Sequence, residues 1–313
     1  YAMHNVAPTT RRRYAEFLRI HVIPTLGNIK LKELKPAQIQ RFYTDRINYG
    51  LSTTTVLHIH RVLHLALKYA IQWQYIQYNP VDACKPPRLN KKDLEVLSDS
   101  QLQLLFDTVK EEAVFIPIFI AATTGMRLGE VCGLQNEDVD IQNKIFTIRK
   151  SFKRISGEMK LNSTKTHRSK RPVPMLPGTE KVLLEYIRKK KSYKVQFLSS
   201  YKDSEHFCVW QDGSPILPDY VTKVFKKYSR RLGFSESISF HSLRHTHASW
   251  LLRQGVNPKV VSERLGHTSV NITLNTYSHL MPNTQKDIIN SLNTEIFTQK
   301  NDVDSTGLIV QYE

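Results

Sequence analysis

The 313 residues carry 45 Lys/Arg against 28 Asp/Glu, a formal charge of +17 and a pI near 9.7, on an ordinary 40% apolar background. This composition excludes a disordered chain, and no apolar run reaches the roughly eighteen residues of a membrane span, so two domains with their own cores and a polyanionic partner, nucleic acid first, are expected. Cys84, Cys132 and Cys208 are odd in number and widely spaced, which fits reduced cytosolic thiols and neither a disulfide scaffold nor a zinc site.

The first 88 residues read as helical, with 13 Lys/Arg against 4 Asp/Glu. Thr9 or Thr10 precedes a helix whose first turn carries Arg11, Arg12 and Arg13, and Pro24 and Gly27 are expected to break it. Pro36 opens a second helix with Ile39, Phe42, Tyr43 and Ile47 on one face, closed by Gly50. Ser52 and the following threonines begin a third, with Val56, Ile59, Leu63, Leu67 and Ala70 at helical spacing. A small basic bundle of this kind is suited to gripping duplex DNA. His58, His60 and His64 share the third helix without forming a complete metal-ligand set.

The proline-rich, basic stretch from Cys84 to Lys92 reads as a linker. The domains expected are a helical one over 1–84, a linker over 85–96, a second domain over 97–293 and a tail over 294–313. Ser98 and Gln101 form a capping box, and Phe115 to Thr124 is a strongly apolar helix. Between Asp138 and Pro174 the pattern turns to strands, with Ile141, Ile145, Thr147 and Ile148 alternating and Arg171-Pro172-Val173-Pro174 returning. Nine Lys/Arg stand between Arg149 and Arg171 against the one acid Glu158, and Lys150, Lys153 and Lys170 are candidate phosphate contacts. Lys165 lies in a Thr-Lys-Thr hairpin arm from which it could reach a leaving oxygen, although spacing alone favours a tip lysine with no role. Helices resume at Thr179.

Three stretches could carry chemistry together. Thr124-Gly125-Met126-Arg127-Leu128-Gly129-Glu130 puts an arginine in a turn with apolar flanks, where its charge needs a partner. His241 and Arg244 stand one helical turn apart and can face one ligand. Gly266 fits the left-handed position after a helix, His267 follows it, and Tyr277 comes ten residues later. Two guanidinium forks matched to phosphate oxygens, with a phenol as nucleophile, read as covalent chemistry on a nucleic-acid backbone. His241, His245 and His247 have no nearby carboxylate to complete a metal site, so no metal and no other cofactor are expected.

These motifs (TGMRLGE, the Thr-Lys-Thr lysine, HSLRHTHASWLL, ERLGH and TLNTYSHL, in that order) resemble those of the tyrosine recombinases, or lambda-type integrases, and more narrowly the integrases of conjugative transposons. The resemblance covers nearly the whole chain. It implies an α+β, mainly α fold: a helical core-binding domain and a mixed catalytic domain with a small antiparallel sheet, closing as a clamp around DNA. Carried over by motif, the catalytic set is Arg127, Lys165, His241, Arg244, His267 and Tyr277, with Glu130 supporting the site. The implied activity is site-specific cleavage and rejoining of DNA through a 3′-phosphotyrosine, serving excision and integration of a mobile element. The resemblance also implies double-stranded DNA as partner, a homotetramer in the synaptic complex, an accessory bending or excision factor, and work on the bacterial nucleoid in the cytoplasm. The tail after about Ser291 is a candidate for docking on a neighbouring subunit. The chain begins at Tyr1 and lacks the family's extra arm-binding domain, so it reads as part of a longer protein. Competing readings are a type IB topoisomerase, a non-catalytic DNA-binding protein that keeps the fold, and a metal-dependent phosphodiesterase.

Overall fold

In the computed structural model, residues 5–89, 94–155, 158–163 and 170–278 are described. The chain divides into two compact units, Tyr1–Asp93 with Ile155–Glu158 and Leu94–Arg154 with Met159–Glu313.

In the first unit, α1 (Pro8–Phe17) starts with its proline in the first turn, where backbone donors have no helical partner anyway. A wide turn with π-type bonding (Leu18–Val22) then feeds α2 (Ile23–Leu26). Pro24 therefore does not break the helical path as expected. The wider turn shifts the bonding so that the proline falls in the first turn of α2, where its missing N–H costs little. Helix α3 (Pro36–Asn48) buries Ile39, Phe42 and Tyr43. Helix α4 (Thr53–Gln72) is capped by Ser52, whose Oγ accepts from the Thr55 N–H at 3.2 Å. Its stripe of Val56, Ile59, Leu63 and Leu67 closes the core of this unit against Phe42 and Tyr43.

The second unit opens with the expected capping box: Ser98 Oγ accepts from Gln101 N–H, and Gln101 Oε1 accepts from Ser98 N–H. Helix α5 (Asp99–Val109) leads to α6 (Phe115–Thr124), which buries seven of its ten residues. The short α7 (Leu128–Cys132) follows. An antiparallel three-stranded sheet has the order β1 (Val139–Asp140), β2 (Ile145–Ile148), β5 (Arg171–Pro174), in the register Phe146 to Val173 and Ile148 to Arg171. Phe146 and Ile148 face the core, whereas Ile145 and Thr147 share the half-buried face. Ile141, expected in the alternation, falls in the β1–β2 turn, which closes through Lys144 at φ +55°. A separate hairpin pairs β3 (Lys150–Ile155) with β4 (Glu158–Ser163).

Helices α8 (Thr179–Phe197), α9 (Pro218–Arg231), α10 (Phe240–Arg253), α11 (Pro258–Leu265) and α12 (Val270–Tyr277) complete the unit. Helix α10 buries nine of its fourteen residues and packs against α6, α9, α11 and α12, so side chains leaving it reach several elements at once. Among the described residues no helix is long and apolar enough to cross a membrane. The tail 294–313 and Lys165 lie outside the described residues.

Candidate active site

Helix α6 ends at Gly125, whose φ of +70° is open to glycine and strained for other residues. A Cβ there would also stand 2.5 Å from Leu265 Cδ2 and 2.9 Å from His247 Cδ2, so the turn needs glycine twice over. The turn delivers Arg127 to the N-cap of α7. Its N–H donates to Glu130 Oε2 and its guanidinium to Glu130 Oε1, each at 3.0 Å, while its other terminal nitrogen reaches Gly266 O at 3.2 Å. The partner that the arginine needed is thus Glu130, whose side chain is 5% exposed.

Arg171 approaches the same carboxylate from β5, and its Nε donates to Arg264 O at 2.8 Å. Burial alone would raise the Glu130 carboxyl, but the Arg171 and Arg127 charges and hydrogen bonds outweigh it and hold the group below its usual range. The last carbonyls of α11 therefore accept from two guanidinium groups, which satisfies a helix end and complements its negative pole. Gly266 ends that helix at φ +67°, and a Cβ on it would lie 2.6 Å from Arg171 Nη1.

His267 comes next. Its N–H donates to Ser262 O, and its Nδ1 is bonded to the buried Thr273 hydroxyl at 2.8 Å. Burial first, then the Arg244, Arg127 and Arg171 charges, push its pKa down to about 4, so it is neutral at physiological pH.

Arg244 projects from α10 and is almost fully buried. One terminal nitrogen donates to Gly125 O at 2.8 Å; the other is buried with no hydrogen-bond partner among the described residues. Burial and the Arg127 charge push this guanidinium down to about 9, which leaves it charged at neutral pH. Among the described residues the cluster thus sets Arg127, Arg171 and Arg244, with Arg264 behind them, against the single carboxylate of Glu130. A buried excess of positive charge with an unmet donor calls for an anion.

Tyr277 ends α12, only 1% exposed, with its ring among Ala248, Leu252, Val261 and Leu265. Its hydroxyl is bonded to His245 Nδ1 at 2.5 Å. Burial raises the phenol to about 12, opposed by the Arg244 charge. His245 itself is pushed down to about 4 by burial, then by His241 and Arg244. His241 stands edge-on to His245 with ring centroids 4.6 Å apart. The His241 ring keeps contact with solvent yet is partly desolvated, and this, with the Arg244 and Arg127 charges, lowers its pKa.

The structure therefore brings together Arg127, Glu130, His241, Arg244, His267 and Tyr277. Of the other residues singled out on sequence, Arg11, Arg12 and Arg13 are exposed on α1, with Arg12 paired to Glu16 at 2.9 Å. Lys150 bonds Gln135 Oε1 at 2.6 Å, Lys153 is half-buried on β3, and Lys170 is exposed ahead of β5. Sequence reasoning missed four members. Arg171 reads in sequence as one more basic residue at the head of a Pro-Val-Pro strand, and its burial follows from tertiary approach. His245 enters the sequence reading only among the histidines that lack a carboxylate to complete a metal site. His247 and Arg264 form a brace: His247 Nδ1 bonds Ala122 O at 3.0 Å, and Arg264 Nε donates to His247 Nε2 at 2.9 Å.

A phenol beside arginines in excess over carboxylate is the composition of a phosphoryl-transfer site. Comparison with known proteins agrees. The phage integrase family matches residues 95–284, and the phage integrase N-terminal SAM-like domain matches residues 1–45. A tyrosine recombinase XerC-like protein of Caldanaerobacter subterraneus is 28% identical over 305 residues, covering 91% of this chain and 78% of that protein. The ICEBs1 integrase of Bacillus subtilis is 25% identical, covering 84% and 71%. The Tn1549 transposon integrase in complex with a circular intermediate DNA shares the fold at a TM-score of 0.81 and 21% identity, over 93% of this chain and 95% of that one. A lambda integrase dimer bound to a core site shares it at 0.65 and 16% identity, over 98% and 77%. The chain belongs to the phage integrase family, the tyrosine recombinases that cut and rejoin DNA.

Proposed function

We propose that this chain excises and integrates a mobile element by breaking and rejoining DNA strands through a 3′-phosphotyrosyl link at Tyr277. The observation that carries this reading is the buried nitrogen of Arg244, without a partner among the described residues, in the same cluster as the Tyr277 hydroxyl. Arg127, Arg244 and His267 would bind the non-bridging oxygens of the scissile phosphate and stabilise the charge of the pentacovalent transition state. Tyr277 Oη forms the bond to phosphorus as the P–O5′ bond breaks. The phenolic proton is lost, with His241 the candidate acceptor, and the leaving O5′ gains one, with Lys165 the candidate donor. A 5′ hydroxyl from a second duplex reverses the step, so the phosphodiester energy is conserved. Glu130 holds Arg127 in place.

Arg11, Arg12, Arg13, Lys150, Lys153 and Lys170 are the candidate contacts to the DNA backbone. Segments 1–84 and 97–293, joined by 85–96, would be the core-binding and catalytic domains. A lambda integrase tetramer bound to a Holliday junction shares this fold at a TM-score of 0.61. That likeness supports four copies acting on two duplexes, with the tail 294–313 reaching a neighbour and an accessory factor setting direction, at the bacterial nucleoid.

The test is a pool of labelled duplexes with a random core and a nick that traps cleaved product. The chain should yield adducts that resist SDS, and Tyr277→Phe should bind the recovered duplex without forming any. An adduct that persists in Tyr277→Phe rules out this nucleophile.

A further inference from the structure

The hydroxyl of the proposed nucleophile is not bonded to His241, the histidine paired with Arg244 in the motif, but to His245, one helical turn further along α10. The phenol ring has little freedom: it is almost completely buried among Ala248, Leu252, Val261 and Leu265. What packing cannot fix is the direction of the O–H bond, which turns about the ring–oxygen axis at small cost. A neutral imidazole has one accepting nitrogen, and in the tautomer that leaves Nδ1 unprotonated, His245 Nδ1, at 2.5 Å from the hydroxyl oxygen, sets that direction. The His245 ring is itself held, edge-on to His241 at 4.6 Å and tilted 52° to the Tyr277 ring.

Two roles could follow from this contact, taking the phenolic proton or only aiming it, and the electrostatics choose between them. The same burial raises the phenol to about 12 and lowers the imidazole to about 4, while Arg244 disfavours a second cation beside it. The proton therefore belongs to the oxygen in the protein without DNA, and a hydrogen bond is what His245 can supply.

We propose that His245 is the positioning residue of Tyr277: an acceptor that holds the phenolic O–H on the α10 side and leaves an oxygen lone pair free to approach the phosphorus of the anion that Arg244 binds. This inference rests on the recombinase reading. It adds a residue outside the six carried over by motif, and it assigns the role to the Nδ1 position of the side chain.

That atom assignment makes the test sharp. In His245→Asn the amide oxygen can take the place of Nδ1. In His245→Gln the amide reaches the Nε2 position, and in His245→Phe the bulk is kept with no acceptor. Each variant is measured with the nicked duplex recovered from the random pool, for duplex affinity and for the single-turnover rate of adduct formation. The expectation is unchanged affinity in all three, a rate within about threefold of the parent for Asn, and at least a tenfold loss for Gln and Phe. A side chain that merely fills space would give the opposite order, with Phe tolerated and Asn impaired. Equal loss in Asn and Phe, or no loss in Phe, overturns the proposal while the recombinase reading stands. A parent chain that forms no adduct with any member of the pool overturns both.

Discussion

Arg171 donates from its two terminal nitrogens to the two carboxylate oxygens of Glu130, at 3.1 and 3.4 Å, with side chains 7% and 5% exposed. The two residues are 41 positions apart, and their pairing ties the returning strand β5 to the turn that presents Arg127. Removing one partner of a buried pair leaves an uncompensated charge, which typically costs about 3–5 kcal/mol, whereas an exposed pair is worth about 1 kcal/mol or less. Arg171→Ala and Glu130→Ala should each lower stability by an amount in the upper range. Arg12→Ala, which breaks the exposed pair with Glu16, should barely register. Urea unfolding of the three variants checks this, and equal effects would show that the site pair is not sealed from water.

The unmet nitrogen of Arg244 predicts anion binding before any DNA is present. At matched ionic strength, inorganic phosphate should raise the melting temperature of the chain more than chloride does, because an anion that binds only the folded state stabilises it by linkage. In Arg244→Ala the extra rise should vanish. With the recovered duplex, the loss of one preorganised donor should slow adduct formation by about 10²–10³, as for other sites that stabilise developing oxyanions. A phosphate effect of full size in the variant would place the anion elsewhere.

Acid should weaken the second unit ahead of the carboxylates. His247, His245 and His267 are held neutral, with pKa values pushed down to about 3, 4 and 4, in each case by burial first and then by neighbouring charges. Unfolded histidine titrates near 6.5, so from there down to the folded values the unfolded chain binds more protons. The contribution is complete above about pH 6.5 and is lost as pH falls towards 4, and Glu130, with its lowered pKa, adds loss in the same direction below its ordinary range. His247→Gln should flatten the fall in urea midpoint between pH 6.5 and 4.5. An unchanged slope would mean that His247 is protonated in the folded state.

Much of this was legible along the chain, where neighbours in sequence are neighbours in space. The stripe on α4, the Ser98 capping box and the apolar α6 follow from local spacing and local hydrogen bonds. The Arg127–Glu130 contact also spans a single helical turn. What stayed hidden depends on tertiary approach. Arg171 and Arg264 meet across 93 residues, and Arg244 reaches Gly125 across 119, distances at which no periodicity speaks. The burial of Tyr277 was hidden for the same reason: α12 shows four exposed residues of eight, and only contact with α10 and α11 seals its last side chain. Pro24 misled because a proline is read as a stop, whereas a wide turn can place it in a first helical turn.

Gly266 offers a test that separates backbone strain from side-chain crowding. Gly233 and Gly266 have nearly the same φ, +71° and +67°, but a Cβ on Gly233 meets nothing within 4 Å, whereas on Gly266 it meets three atoms of the Arg171 guanidinium. Replacing either by alanine should incur the left-handed penalty of about 1–2 kcal/mol. Gly233→Ala should stop there and leave adduct formation unchanged. Gly266→Ala must also move Arg171, which holds Glu130 and Arg264 O, and must shift the carbonyl that Arg127 grips and the backbone that carries His267. It should therefore lose additional stability and slow the adduct by at least tenfold at saturating duplex. If the two alanine variants behave alike in both measurements, the Arg171 side chain is free to yield, and its grip on the end of α11 does not set the geometry of His267.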